Sequence, residues 1–139
     1  MREILFRGKL TDNGEWVEGY YVHLYDYKGN ESHRIYTGYS ETDYGDFYPD
    51  WFEVDPETVV QFTGLYDNNG KRIFDGDVVS LACGIYRNKG IVKYFEARTR
   101  YGLIDKKYEL FSFLNNLCIN QYSINIIGNI HDNPELLEV

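Results

Sequence analysis

The stretch QFTGLYDNNGKRIFDGDVVSL, residues 61–81, decides the fold of this chain. Its centre, Asp67-Asn68-Asn69-Gly70, is typical of a tight hairpin turn, because Asn and Gly tolerate the left-handed backbone conformation that such turns require. The flanking residues are rich in Val, Ile, Phe and Thr, which favour strands. We therefore predict a strand over 58–63, a hairpin turn with Gly70 at positive φ, and a second strand over 71–83.

The carboxylates of this stretch suggest two alternatives, a calcium loop and a catalytic pair. A helix–loop–helix calcium loop needs a central Gly, and with Gly70 in that place Leu65 falls on the first ligand position and Gly76 on the closing one. Asp75 and Asp77 share one face of an extended segment, but Gly76 between them favours a bulge or corner in which the Asp side chains bond nearby amides. We interpret the stretch as architecture and predict neither a metal site nor a catalytic site in it.

Upstream of this stretch, apolar and polar residues alternate with a period of two, as in strands that bury one face. The alternation covers residues 3–10 and 16–24, and the turn sequence between them predicts a positive φ at Gly14. A further turn at 28–30 leads into a third strand over 32–37. This order predicts a three-stranded meander.

The segment GYSETDYGDFYPD, residues 38–50, has a different character. It is polar, acidic and aromatic and shows no period, which predicts a surface loop. Residues 51–54 follow as a short strand. One helical turn then begins at Asp55 and Pro56, because Asp is a favoured cap and Pro a favoured first helical residue.

The downstream half also contains mostly strand patterns. Residues 87–90 predict a second hairpin corner leading into another strand, and residues 101–104 predict one more. Residues 108–118 fit both a helical stripe and a strand alternation, and we favour a strand that continues into a short helix. Residues 123–130 are strand-like, with Gly128 at a bulge or a close approach.

The tail and the length complete the prediction of the fold. Asn133 and Pro134 predict a helix start, and we expect Leu136 and Leu137 behind it to be at least partly buried. At 139 residues, the chain is expected to form a single domain over 1–139 that needs neither a disulfide nor a metal to fold.

Residue types that carry chemistry are isolated along the sequence. Cys83 and Cys118 have no CxxC spacing and are interpreted as small core residues. His23, His33 and His131 are scattered, and we interpret them as surface or satisfied core residues. No nucleophile elbow and no glycine-rich phosphate loop is present. We therefore predict no enzyme, no cofactor and no metal site, and the lack of a long apolar span predicts a cytoplasmic protein without a membrane partner.

The net charge of −8 is unevenly distributed. Residues 1–57 contain 5 Lys/Arg and 13 Asp/Glu, whereas residues 58–139 contain 9 of each. Within the second part, residues 87–107 contain 7 Lys/Arg against only Glu96 and Asp105. The sequence thus has an acidic front and a basic stretch, each of which is either a solvated face or a binding surface.

Three blocks of this sequence resemble the YopX family of bacteriophage and prophage proteins. They are residues 6–20, containing FRGK and DNGEWVEGY, residues 54–79, VDPETVVQFTGLYDNNGKRIFDGDVV, and residues 126–137, IIGNIHDNPELL. The resemblance implies a mainly β fold of the SH3-like barrel type in a small cytoplasmic phage protein. It implies no activity and no catalytic residue, and residues 25–50 and 84–122 match the family poorly.

Two classes of function remain. A non-enzymatic module that self-associates as a homo-oligomer, or binds a host or phage protein, is favoured by the aromatic residues of 38–51, since such residues are enriched in interfaces. The alternative is nucleic-acid binding through 87–107, where Tyr94, Phe95 and Tyr101 are interleaved with cations. Nucleic acid is the less favoured partner because the chain is acidic overall, and a third reading has the acidic front mimic a nucleic acid.

Overall fold

The computed structural model describes residues 3–105, 109–115 and 122–137. Within these ranges the chain is mainly β: eleven strands form antiparallel ladders, and the helical segments are single 3-10 turns. The contacts divide the chain into two compact units, Met1–Gln61 and Phe62–Val139, which are described one after the other. A mainly β fold is thereby confirmed. The SH3-like barrel is not confirmed, because the sheets of the described residues are open rather than closed.

The first unit is one antiparallel ladder in the order β4-β3-β2-β1-β5. Its strands are β1 (Phe6–Lys9), β2 (Trp16–Tyr25), β3 (Glu31–Glu41), β4 (Phe47–Glu53) and the first residues of β5 (Val60–Tyr66). The predicted meander is confirmed as β1–β3. The helical turn predicted at Asp55 and Pro56 is also confirmed. It is a 3-10 turn over Pro56–Thr58, and the Asp55 carboxylate accepts a hydrogen bond from the Glu57 amide.

Glycines let the strands of this unit approach its small core. Ile35 and Val54 are fully buried there. A Cβ on Gly19 would lie 2.2 Å from the Tyr36 carbonyl oxygen and 2.8 Å from Ile35 Cγ2, distances that no side chain can occupy. A Cβ on Gly8 would meet Val54 and Val59 at 3.2 Å. The strand glycines therefore mark close packing, as glycine in a strand interior often does.

The second unit contains a five-stranded antiparallel sheet in the order β10-β9-β8-β7-β11. The remaining strands are β6 (Arg72–Phe74), β7 (Asp77–Cys83), β8 (Tyr86–Phe95), β9 (Arg100–Ile104), β10 (Leu110–Phe113) and β11 (Ser123–Asn129). Both faces of the sheet carry apolar clusters. The larger consists of Ile73, Val79, Leu81, Val92, Tyr101, Leu103, Leu114 and Ile124. The smaller consists of Val78, Ile91 and Ile104, with Phe95 and Leu136 packed against it.

The turn at Asp67–Gly70 is the corner that the sequence predicts, and it also anchors β11. Gly70 has a φ of +79°. The Asp67 carboxylate accepts hydrogen bonds from the amides of Asn69 and Lys71, both at 2.9 Å, and from the amide of Ile126 at 3.1 Å. The Asn68 backbone amide donates to the Ile124 carbonyl at 2.9 Å, and the Asn68 side-chain oxygen accepts from the Ile124 amide. The hairpin corner predicted for this stretch is confirmed.

The corner predicted at Gly76 is also present. Gly76 has a φ of +86° and separates β6 from β7. Asp77 is buried, and its Oδ2 accepts a hydrogen bond from the Phe74 amide at 2.8 Å. At Asp75, burial raises the pKa, opposed by the charge of Lys93 and by the Gly76 amide. The backbone turns between the two carboxylates, which therefore do not form the pair that an extended segment would give.

Three hairpin loops repeat one hydrogen-bond pattern. The loops are 26–30, 42–46 and 67–71, and in each the first residue's amide donates to the carbonyl of the fifth. The fourth residue is a glycine with positive φ, whose amide donates to the first residue's carbonyl. The first residue is Asp or Thr, and its side-chain oxygen accepts from the amide of the fifth. The turn predicted at Gly14 is confirmed as well, with a φ of +73°.

Two predicted turns or loops are wrong. The second hairpin corner lies at Gly84, with a φ of +61°, and not at 87–90, which are part of β8. Residues 38–50 are not a loop, because β3 continues to Glu41 and β4 starts at Phe47. In both places the strands expose both faces near a hairpin end, so the apolar–polar alternation that indicates a strand is missing.

The described part of the C-terminal segment packs as predicted. The register of β11 shifts between Ile126 and Gly128, and a Cβ on Gly128 would lie 2.5 Å from Asn133 Oδ1 and 2.6 Å from Leu136 Cδ1. A 3-10 turn at Pro134–Leu137 follows, and Leu136 is half-buried. The side chain of Leu137 lies outside the described residues, as does Cys118. Cys83 is exposed, so its interpretation as a core residue is wrong.

Candidate functional site

The segment 38–50 forms a two-stranded extension, which we call the aromatic ribbon. The β2–β3 ladder ends at the pair Tyr20–Tyr36, so the later residues of β3 pair with β4 alone. The register of the ribbon is Gly38–Asp50, Tyr39–Pro49, Ser40–Tyr48 and Glu41–Phe47. Both of its faces therefore reach solvent over most of its length.

Aromatic side chains cover both faces of the ribbon. Tyr39 and Phe47 share one face and are 76% and 69% exposed. Tyr48 lies on the other face and is 50% exposed, beside the hydrogen bond from Ser40 Oγ to the Asp50 carboxylate at 2.7 Å. Tyr44, in the turn, is 94% exposed. An isolated two-stranded ribbon is only marginally stable in water, so one with exposed rings on both faces is suited to being covered by another surface.

The ribbon carries negative charge only. Residues 38–50 contain four Asp/Glu, which are Glu41, Asp43, Asp46 and Asp50, and no Lys or Arg. The strand β4 is at the end of its sheet order, and Pro49 lies in the middle of the ribbon part of this edge. Because Pro has no amide hydrogen, it disfavours the addition of another strand there. The faces of the ribbon, and not its edge, are therefore the surface available for a partner.

A second group of rings lies beside the ribbon on the same ladder. Tyr20, Tyr36 and Trp51 are directly paired across three neighbouring strands. The Arg34 guanidinium lies 3.7 Å from the centre of the Trp51 ring, a close cation–π contact. The sequence pattern missed this group, because its members appear as single aromatic residues in three separate segments.

The basic stretch 87–107 turns two of its three rings away from its cations. Arg87, Lys89 and Lys93 alternate along β8, and the pairing of Phe95 with Arg100 places Arg100 on the same face. Tyr94 and Tyr101 point to the opposite face, where their rings contact each other at 5.1 Å and Tyr101 belongs to the core. The interleaving seen in the sequence therefore separates into two faces, and of the three rings only the half-buried Phe95 lies on the face that carries the cations.

Three of the described cations of this stretch also contact their own chain. Arg87 Nη1 donates to the carbonyls of Gly84 and Tyr86, the latter at 2.9 Å. Lys89 Nζ donates to the Leu136 carbonyl at 3.2 Å. Arg100 lies 3.9 Å from the centre of the Phe113 ring. Lys106, Lys107 and the side chain of Arg98 lie outside the described residues.

Two histidines described above as scattered are neighbours in the first unit. His23 of β2 pairs directly with His33 of β3, and their rings stack with centres 4.2 Å apart. His23 Nε2 lies 3.4 Å from Glu31 Oε1, and Tyr21 Oη lies 2.6 Å from His33 Nδ1. The expectation that these residues are isolated is wrong. A count of the hairpin register would have found the pair, since a loop over 26–30 places residue 23 opposite residue 33.

The comparisons with known proteins agree with this architecture. The family model described as YopX protein matches residues 5–138. The crystal structure of protein EF1440 from Enterococcus faecalis is similar over 99% of this chain and all of its own, with a TM-score of 0.65 and 23% sequence identity. At that identity the likeness shows the fold. No curated protein matches the chain. In the described part of the chain, no helix has the length and apolar character needed to cross a membrane.

Proposed function

The chain belongs to the YopX family, and we propose that it is a non-enzymatic member which associates with further copies of itself through the aromatic ribbon. The observation that carries this proposal is the exposure of Tyr39, Tyr44, Phe47 and Tyr48 on a two-stranded extension. Monomeric proteins rarely leave contiguous aromatic surface uncovered, and aromatic residues are enriched in interfaces. Burying these rings against a partner would remove them from water and would stabilise the ribbon as well.

The charge distribution supports a second copy as the partner. The ribbon contains four carboxylates and no cation, whereas Arg87, Lys89, Lys93 and Arg100 share one face of the second unit. The ribbon of one chain can therefore meet the basic face of the next in a heterologous contact, which closes into a ring if the rotation permits. Exposed ion pairs contribute only about 0–1 kcal/mol each, so charge would set register and association rate while ring burial supplied the affinity.

Nucleic-acid binding has less support from the geometry. Base stacking on a basic groove needs exposed rings and cations on one surface. Here Tyr94 and Tyr101 face away from the cations of β8, and Phe95, the ring of this stretch that shares their face, is half-buried. We further propose that the protein acts in the cytoplasm of a bacterial cell that carries the phage or prophage, as the family resemblance implies. A host or phage protein as the ribbon's partner is the alternative to a second copy.

The test is the molar mass of nuclease-treated protein, measured by light scattering at about 100 µM and at low and high salt. We expect an oligomer that Tyr39→Ser with Phe47→Ser converts to monomer. Tyr27→Ser is the matched control, because Tyr27 is 93% exposed in the same unit but lies outside the ribbon. A wild-type monomer would refute self-association. A monomer that binds DNA at physiological salt would favour the nucleic-acid-binding function instead.

Charge complementarity has its own test. Glu41→Lys and Lys93→Glu should each weaken the oligomer at low salt, and combining the two should restore part of the loss if these faces meet. Oligomers that respond to the ribbon variants but not to either charge reversal would place the partner surface elsewhere on the chain.

A further inference from the structure

Three side chains with metal-ligating atoms lie together near the turn end of the β2–β3 hairpin. They are His23, Glu31 and His33, and each offers one ligand atom within 4.8 Å of the other two. We propose that these residues bind a divalent transition-metal ion of the Zn²⁺ type. The proposal is independent of the aromatic ribbon and concerns different residues.

The distances are close to those of a coordination sphere. Zinc binds imidazole nitrogen and carboxylate oxygen at about 2.0–2.2 Å, so neighbouring ligand atoms of a tetrahedral site lie about 3.4 Å apart. His23 Nε2 and Glu31 Oε1 are already 3.4 Å apart. No two of the three ligand atoms are more than 4.8 Å apart, so the distances have to close by at most about 1.4 Å, which rotations of the exposed Glu31 and His23 side chains can supply.

The backbone holds the three ligands on one face. His23 is directly opposite His33, and Glu31, two residues before His33, is opposite Tyr25. The β2–β3 ladder is continuous in register from Tyr20 to Tyr25, so the positions of the three Cα atoms are fixed before an ion arrives. A site built on paired strands is more precise than one built on a loop.

A neighbouring tyrosine orients one of the ligands. Tyr21 Oη is 2.6 Å from His33 Nδ1. When His33 Nδ1–H donates to this oxygen, the lone pair on His33 Nε2 is left for a metal, the arrangement that positions most ligating histidines.

The ligand set selects the class of ion. Two imidazoles and one carboxylate suit zinc, copper or nickel, whereas magnesium and calcium prefer sites made of oxygen. Three protein ligands leave a fourth position of a tetrahedral ion to solvent. The first unit, with 5 Lys/Arg against 13 Asp/Glu, also provides a field that attracts cations.

The same contacts could serve only to stabilise the hairpin through stacking and hydrogen bonds. The two roles differ in their dependence on an ion. Calorimetric titration of tag-free, chelator-stripped protein with ZnCl₂ at pH 7.5 should show one ion per chain, and Zn²⁺ should raise the melting temperature where Mg²⁺ and Ca²⁺ do not. His23→Ala and His33→Ala should each abolish this binding.

Matched variants separate this site from others. His131→Ala and Cys83→Ser should bind Zn²⁺ as wild type does, since neither residue belongs to the cluster. Tyr21→Phe should lower the affinity by about tenfold or more while leaving the stoichiometry unchanged, as expected for a positioning residue. Tyr39→Ser with Phe47→Ser should also bind normally.

Nuclear magnetic resonance of the wild-type protein guards against variants that fail to fold. Zn²⁺ should shift the imidazole signals of His23 and His33 and leave those of His131 in place. Absence of binding to the folded wild type at about 100 µM Zn²⁺ would overturn the proposal. So would binding that survives the loss of both histidines or that disappears in Cys83→Ser.

Discussion

Replacement of Asp67 by Ala tests whether the Asp67–Gly70 turn holds β11 or is only a local corner. Its carboxylate accepts hydrogen bonds from Asn69 and Lys71 within the loop and from Ile126 on β11. Asp26 makes the same two kinds of local bond, to the amides of Lys28 and Asn30. Asp26 is fully exposed, whereas Asp67 is 5% exposed. Asp26→Ala is thus a matched control for the loop alone.

The expected loss follows from what Asp67→Ala leaves unpaired. The amides of Asn69 and Lys71 are on exposed residues and can bond water. The Ile126 amide is half-buried and loses a charged acceptor, for which a net contribution of about 1.5–3 kcal/mol is typical. With the weakened loop included, we expect Asp67→Ala to cost about 3 kcal/mol, or a fall of roughly 10 °C in melting temperature for a chain of this size.

Urea unfolding followed by circular dichroism measures the loss, and hydrogen exchange locates it. The Ile126 amide should exchange faster in Asp67→Ala at equal global stability, while amides of the β2–β3 hairpin stay protected. Asp67→Asn should lie between wild type and Asp67→Ala, because an amide oxygen accepts hydrogen bonds without charge. If Asp67→Ala is no more destabilising than Asp26→Ala, the long-range bond to Ile126 contributes nothing and the reasoning fails.

Three further predictions test other parts of the structure. Gly128→Ala should destabilise the protein by about 1–3 kcal/mol in urea unfolding, because its Cβ would lie 2.5 Å from Asn133 Oδ1 and 2.6 Å from Leu136 Cδ1. Gly45→Ala is the control: its Cβ would meet open space, so at a φ of +82° it should cost only the backbone strain of about 1 kcal/mol. Burial raises the pKa of Asp75, so the native state binds this proton more tightly than the unfolded state does, and the contribution of Asp75 to the free energy of unfolding falls as pH rises from the ordinary pKa of 3.8 through the raised pKa. Asp75→Asn should therefore be more stable than wild type at pH 7 but not at pH 3. If the two proteins are equally stable at both pH values, this prediction is contradicted. The expectation of a single domain over 1–139 requires one cooperative unfolding transition with coincident probes in both units, and two separated transitions would contradict it.

The hairpin turns could be predicted because their cause is local. Gly14 and Gly70 sit behind Asn or Asp in a chain that must reverse, and only residues tolerant of positive φ fit there. Gly128 and the Asp55 cap follow from equally short patterns. The strands between them could be predicted where one face is buried, as at Ile35 and Tyr21, because burial of one face creates the alternation.

The ribbon could not be recognised as strands for the opposite reason. Neither face of residues 38–50 is buried, so nothing in the pattern distinguishes it from a loop, and the register shift between Tyr36 and Gly38 breaks what alternation remains. Its aromatic content did indicate the kind of surface it forms. A composition can thus indicate an exposed surface rich in rings while the periodicity fails to give its conformation.

The histidine cluster shows how much depends on where a turn begins and ends. A turn over 28–30 leaves the register of the flanking strands undefined, whereas the observed loop over 26–30 pairs Tyr25 with Glu31 and therefore His23 with His33. Because side chains alternate between faces, a slip of one residue in either strand would move its histidine to the other side of the ladder. The ligand set exists only in the register that the Asp26 loop imposes.

The same alternation decides between the two candidate surfaces. In sequence, 87–107 resembles a stacking platform, since cations and rings follow one another closely. On a strand, neighbours in sequence face opposite ways, so Lys93 and Tyr94 cannot act on one ligand, and Tyr101 is drawn into the core by its pairing with Tyr94. In the ribbon, Tyr39 and Phe47 come from different strands and share a face because of their register. The register brings Tyr39 and Phe47 to one exposed face of the ribbon, whereas it turns Tyr94 and Tyr101 away from the cations of the basic stretch. The exposed aromatic hairpin is therefore the stronger candidate for contact with a partner.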